Sequence, residues 1–143
     1  MTSFNDFMRV REAAASAYCH GSASEVLALT TSQEPASFFG PDDQAVEGAV
    51  SVKNNYAAAA SSFGPDGSNE FEIFHETEGG DIAYWSGLQK AVVEINGQPV
   101  PMTLRITELF RREDGEWKLV HRHADMLKPP NRIKKRRPKA PLQ

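Results

Sequence analysis

His121 and His123 stand two residues apart near the end of the chain, in the stretch EWKLVHRHAD from Glu116 to Asp125. On an extended strand, side chains alternate between two faces. Trp117, Leu119, His121, His123 and Asp125 then share one face, and Lys118, Val120, Arg122 and Ala124 share the other. A face that opens with Trp and Leu is expected to turn inward, carrying two imidazoles and a carboxylate toward whatever it covers. Imidazole titrates near neutral pH, so His123 and His121 are candidates for general acid and base, with Asp125 placed to orient His123. The plainer reading is that they hydrogen-bond within the wall of the strand.

Glu108 is the fourth candidate. It alternates with Leu104, Ile106 and Phe110 in the preceding strand. If that face is inward, a carboxylate sits among apolar groups and must be paired or hold a raised pKa. A Glu108–His121 or Glu108–His123 pair would satisfy it and would form a proton-transfer site. The other register turns Arg105 and Thr107 inward instead. One bulge exchanges the two faces, and the spacing leaves both open.

His121-x-His123 also supplies two metal ligands on one strand, with Glu108 or His75 as a third. Two histidines without cysteines are a weak metal signal, and neither a metal nor another cofactor is expected. A Gly-rich phosphate loop, a GxSxG elbow and a nucleophilic cysteine motif are all lacking. Tyr56, Trp85, Trp117, Phe39 and Tyr18 are the aromatic candidates for a pocket lining, although core packing is the simpler reading of such residues. Of these, Tyr56 is the one whose hydroxyl is expected to meet a ligand.

The elements that must position these residues follow from periodicity. Asn5–His20 reads as a first helix, with Phe7, Val10, Ala14, Ala17 and Tyr18 on one face and Gly21 at its end. A short second helix is expected over Ser24–Thr31 and a short strand over Ala36–Gly40. A third helix is expected over Val46–Phe63, favoured by four consecutive alanines. After Gly64-Pro65-Asp66-Gly67 the chain reads as strand throughout. Asn96-Gly97 and Asp114-Gly115 mark tight hairpins. The sum is an α+β layout, helices first and then a four-strand antiparallel meander, with the helices covering the concave face of a curved sheet. Such a sheet encloses a cavity, where small molecules bind.

At 143 residues, 40% of them hydrophobic, the chain makes one domain of ordinary size. It contains no run of 18 apolar residues, so no membrane insertion is expected. The N-terminus lacks the basic and apolar regions of a secretory signal, and the single Cys19 rules out an internal disulfide framework. A cytoplasmic protein is expected. The net charge of -3 is unevenly spread. Residues 128–143 hold seven basic residues, four prolines and no acid, which leaves the body at about −10. The domain is therefore expected to span 1–127, followed by a basic, Pro-rich tail over 128–143. That tail leaves nucleic acid open as a partner, although a solvated tail is the simpler expectation.

The segment RITELFRREDGEWKLVHRHAD and the order of elements resemble the SnoaL-like, ketosteroid-isomerase-like branch of the nuclear transport factor 2 superfamily. The resemblance rests on Arg105, Thr107, Asp114, Gly115, Trp117, His121 and His123, and it covers about residues 4–127. The same segment is similar to the association domain of calcium/calmodulin-dependent protein kinase II. The family fold is a cone-shaped, cystatin-like half-barrel: a curved antiparallel sheet wrapped around three N-terminal helices. The resemblance implies a pocket at its wide end and a homodimer paired through the outer sheet face.

For function it implies a protein that binds a hydrophobic, oxygenated small molecule. It would act, if an enzyme, as a cofactor-independent isomerase, dehydratase or hydratase. The alternative it carries is a non-catalytic ligand-binding or oligomerisation module, because one fold hosts many functions. Steroid isomerisation by an aspartate base with a tyrosine and aspartate oxyanion hole is not expected. The matching positions fall near Phe39 or Gly40, Ala14 and Leu104, and Asp42 and Tyr18 are only neighbours in sequence.

Overall fold

The computed structural model describes residues 2–128; from Pro129 on, the expected basic tail lies outside them. The elements run α1 (Phe4–Cys19), α2 (Ser24–Leu29), β1 (Ser37–Phe39), β2 (Ala45–Glu47), α3 (Ala49–Ala60), β3 (Ser68–Gly79), β4 (Ile82–Ile95), β5 (Gln98–Glu113) and β6 (Glu116–Met126). This is the expected α+β arrangement, with one addition. The four long strands form the antiparallel meander, and β1 then pairs parallel to β6, with β2 beyond it. The sheet has six strands in the order β2-β1-β6-β5-β4-β3, curved and unclosed, with the helices on its concave side.

Local signals account for most boundaries. Ser3 caps α1 by accepting from the Asp6 amide at 3.1 Å, and Asp6 complements the positive helix end. Asn96-Gly97 and Asp114-Gly115 take positive φ at both positions, the geometry that matches strand twist in two-residue hairpins. The third helix begins at Ala49 rather than Val46, because residues 45–47 pair with β1 as an edge strand.

The buried face of α1 is turned one position from the expected one. Phe4, Phe7, Met8, Arg11, Ala14, Ala15 and Cys19 face in, whereas Val10 is half exposed. Phe4 and Phe7 pack on Phe110, and Phe4 packs on Trp117, at 5.2–5.5 Å between ring centroids. Burying one such phenylalanine stabilises the fold by about 1.5–3 kcal/mol.

Two irregularities bend the sheet. One lies at Phe74 in β3, between Ile73 and His75; the other is in β6, where Leu109 pairs with His121 but Phe110 pairs with Leu119. Val120 is the extra residue of the second, a bulge that reverses the alternation of everything after it. Before it Trp117 and Leu119 face in; after it Arg122 and Ala124 do.

Candidate functional site

The β6 bulge decides which side chains reach the interior. β5 turns Leu104, Ile106, Glu108 and Phe110 inward, all buried, so Arg105 and Thr107 face out. In β6, Arg122 faces in directly opposite Glu108. The expected inward placement of His121, His123 and Asp125 is therefore corrected. They lie on the outer face, because Val120 adds one residue and the strand has a period of two.

There Nδ1 of His121 sits 2.7 Å from the Ser37 hydroxyl, and Nε2 of His123 sits 3.9 Å from Asp125. Asp125 is held by Arg105 through two bonds of 2.6 and 2.9 Å. Burial, and then the neighbouring His123, push the His121 pKa below its ordinary value. Neither histidine meets Glu108, and His75 bonds with Tyr84 elsewhere on the sheet, so the conceived ligand set is not assembled. Among the described residues no three His, Cys, Asp or Glu side chains gather as a metal site would need.

Glu108 is fully buried and spends both oxygens on donors. Oε1 accepts from Arg11 Nε at 3.0 Å and Trp85 Nε1 at 2.8 Å. Oε2 accepts from Arg11 Nη2 and Arg122 Nη1, each at 2.7 Å. Burial alone would raise its pKa; Arg11 and then Arg122 more than reverse that and hold it at about 2. A carboxylate so saturated is a fixed anion that anchors two guanidiniums rather than a proton carrier. Arg122 continues the chain to Gln89, whose amide in turn donates to Asn69.

These groups form one end of a cavity of about 650 Å³. Arg11, Arg122, Gln89, Tyr18 and Tyr56 line it, together with apolar groups such as Phe38, Val93, Met102 and Leu104. At the rim stand Pro41, Asp42 and Gln44. Two cations share one buried anion, so this floor keeps one positive charge. Tyr56 Oη is buried without a hydrogen-bond partner. Burial raises both tyrosine pKa values, that of Tyr18 to about 12, so both hydroxyls stay protonated and able to donate. It likewise pushes the Cys19 thiol up. The arrangement can receive an apolar body and hold an oxygen atom, charged or polarised, among convergent donors.

Of the aromatic candidates, Tyr56 and Tyr18 line the cavity. Trp85 and Trp117 are core residues behind it, Trp85 bonded to Glu108 and Trp117 stacked under the Arg112 guanidinium at 4.1 Å. Phe39 lies on the outer face against both histidines. Sequence reasoning missed Arg11, Arg122 and Gln89. Two signals pointed to the arginines, and none to Gln89. Arg11 interrupts the stripe between Phe7 and Tyr18, and the apolar residues of β6 switch parity between Leu119 and Ala124, as a bulge requires.

No described helix is long and apolar enough to cross a membrane. No curated protein matches the sequence. Among solved structures, a candidate dehydratase of the NTF2-like family from Streptomyces avermitilis is similar over 87% of this chain and 95% of that one, at 18% identity and a TM-score of 0.71. An NTF2-like superfamily protein from Salmonella enterica covers 86% and 87% at 14% identity, TM-score 0.71. A candidate calcium/calmodulin-dependent protein kinase type II association domain from Thiobacillus denitrificans covers 81% and 88% at 20% identity, TM-score 0.64. At such identities the likeness is one of fold. The family model for the SnoaL-like domain matches residues 8–128, and the chain belongs to that family.

Proposed function

We propose that the protein binds an apolar, oxygenated organic compound in this cavity, with the oxygen seated on the floor formed by Arg122, Arg11 and Tyr56. The observation that carries the reading is Tyr56 Oη, a buried hydroxyl without a partner beside two guanidiniums that share one carboxylate. A buried donor left unpaired costs about 1–3 kcal/mol, and a ligand oxygen recovers it. The chemistry such a floor suits is isomerisation, dehydration or hydration by proton transfer. Donors aimed at an oxygen stabilise the negative charge that develops there when a neighbouring C–H proton leaves. Asp42, at the rim, is the carboxylate among the lining residues. A candidate dehydratase among the structural neighbours agrees with this reaction class. The partner in solution is a second copy of the chain, seated on the outer sheet face where Leu109 and Ile82 are exposed.

Thermal-shift titration with matched aryl and alkyl carboxylates, ketones and hydrocarbons tests the binding. A ligand at 100 times its Kd stabilises the native state by about 2.7 kcal/mol. Oxygenated compounds should raise the melting temperature of the wild type, and Tyr56→Phe should weaken that response about tenfold or more. If hydrocarbons act as well as their oxygenated counterparts, or Tyr56→Phe binds equally, the floor is not the recognition element.

A further inference from the structure

The ionisable groups lining the cavity are Arg11, Arg122, Tyr18, Tyr56, Cys19 and, at the rim, Asp42. Burial raises the pKa of both tyrosines and of the thiol, so all three are uncharged. Asp42 is exposed and accepts from the Gln44 amide at 3.0 Å. Both guanidiniums are buried and pair with Glu108, and neither pairs with a second carboxylate among the described residues. One positive charge is therefore left over in a place where an unbalanced charge is costly. Its direction is fixed as well. Arg122 donates from Nη1 to Glu108 and from Nη2 to Gln89, so among the described residues its Nε edge carries no bond. The Gln89 amide donates to Asn69 at 2.6 Å, which keeps the Gln89 oxygen turned to Arg122. Tyr18 and Tyr56 meet edge-on beside it, 6.0 Å between ring centroids, and Tyr56 Oη is unpartnered.

We propose that the cavity selects an organic monocarboxylate, with its carboxylate against Arg122 and the Tyr56 hydroxyl and its apolar body in the remainder of the cavity. This rests on the binding reading above and deepens it, because the ligand oxygen now carries a full charge. A carboxylate presents two coplanar oxygens, which suit a guanidinium edge with a phenol beside it. Its single charge balances the one left on the floor. A phosphate monoester brings about −1.5 to −2 at neutral pH. The excess would lie against Val93, Met102 and Leu104 without a partner. A neutral ketone or amide fills the same space but leaves the guanidinium unbalanced.

Calorimetric titration of the full chain tests this. The probes are the aryl alkanoates from benzoate to phenylbutyrate, each beside its own primary amide, and phenylpropyl phosphate as the more highly charged match. The carboxylates that bind should do so about tenfold or more tighter than their amides, the margin between charged and neutral hydrogen-bond partners. The phosphate should bind more weakly than phenylbutyrate. The carboxylate Kd should stay constant between about pH 6 and about pH 8, where a carboxylic acid is already ionised. Arg122→Gln keeps the Arg11–Glu108 pair and should bring acid and amide to equal affinity; the wild-type comparison decides alone if that variant does not fold. Amides that bind as tightly as the acids, or a phosphate that binds tighter, overturn the monocarboxylate and leave the cavity reading standing. A Kd that weakens about tenfold per pH unit means that the acid enters protonated, and also overturns it. So does a preference for the acid that persists in Arg122→Gln. If no probe of either kind binds, the cavity reading falls and this inference with it.

Discussion

Glu108 and Arg122 are direct cross-strand partners, joined at 2.7 Å with both side chains inside the sheet. Arg11 reaches the same carboxylate from α1. One ion-pair cluster thus ties the first helix to the last two strands and forms the cavity floor. Removing one member of a buried pair leaves an uncompensated charge. Glu108→Gln should therefore cost about 3–5 kcal/mol in denaturant unfolding at neutral pH. A cost below about 1 kcal/mol would show that the cluster contributes nothing net.

The same carboxylate sets a pH dependence. Its pKa is about 2 in the fold and about 4.3 in an unfolded chain. Between those values the unfolded state binds more protons, so stability falls as pH falls. The contribution, about 3 kcal/mol, is complete above about pH 5 and lost as the pH drops through about 2. The gap between wild type and Glu108→Gln in unfolding experiments should accordingly narrow through that window. A gap that stays constant would place the cost elsewhere.

Tyr56→Phe separates function from stability. The hydroxyl has no partner in the fold, so its removal should leave the melting temperature unchanged or raise it. A clear drop would mean that the hydroxyl is bonded in the free protein, and the recognition argument would lose its basis.

Gly87 lies opposite Ile73, beside the β3 irregularity. A Cβ there would stand 2.0 Å from the Glu72 carbonyl oxygen and 2.9 Å from the Phe74 nitrogen, both backbone atoms. Gly87→Ala should cost about 4 kcal/mol or prevent folding. Normal expression and an unchanged unfolding midpoint would contradict the close approach.

The Arg105–Asp125 pair behaves differently although its bonds are as short as those of the buried cluster. Arg105 is 62% exposed, so water and salt screen the pair. A double-mutant cycle should return less than about 1 kcal/mol, diminishing with added salt.

Element types, the hairpin turns and the family were legible in the sequence because each rests on local chemistry. Asn96-Gly97 and Asp114-Gly115 dictate their own turns, and the alternation in β5 put Glu108 on one face with Leu104, Ile106 and Phe110. Tyr56 was legible as an inward hydroxyl. What stayed hidden was the phase between neighbouring elements. Residues 45–47 look helical on their own and become a strand only because β1 offers an edge to pair with.

The residues alone thus determined the helices, the meander and the inventory of polar groups. Tertiary structure decided which polar groups meet. A strand has a period of two, so the single extra residue Val120 exchanges its faces, sending His121, His123 and Asp125 outward and Arg122 inward. No local propensity marks that residue. Its place is set by the packing of Trp117 and Leu119 beneath α1 and by the pairing of Arg122 with Glu108, itself held by Arg11 from a helix about a hundred residues away.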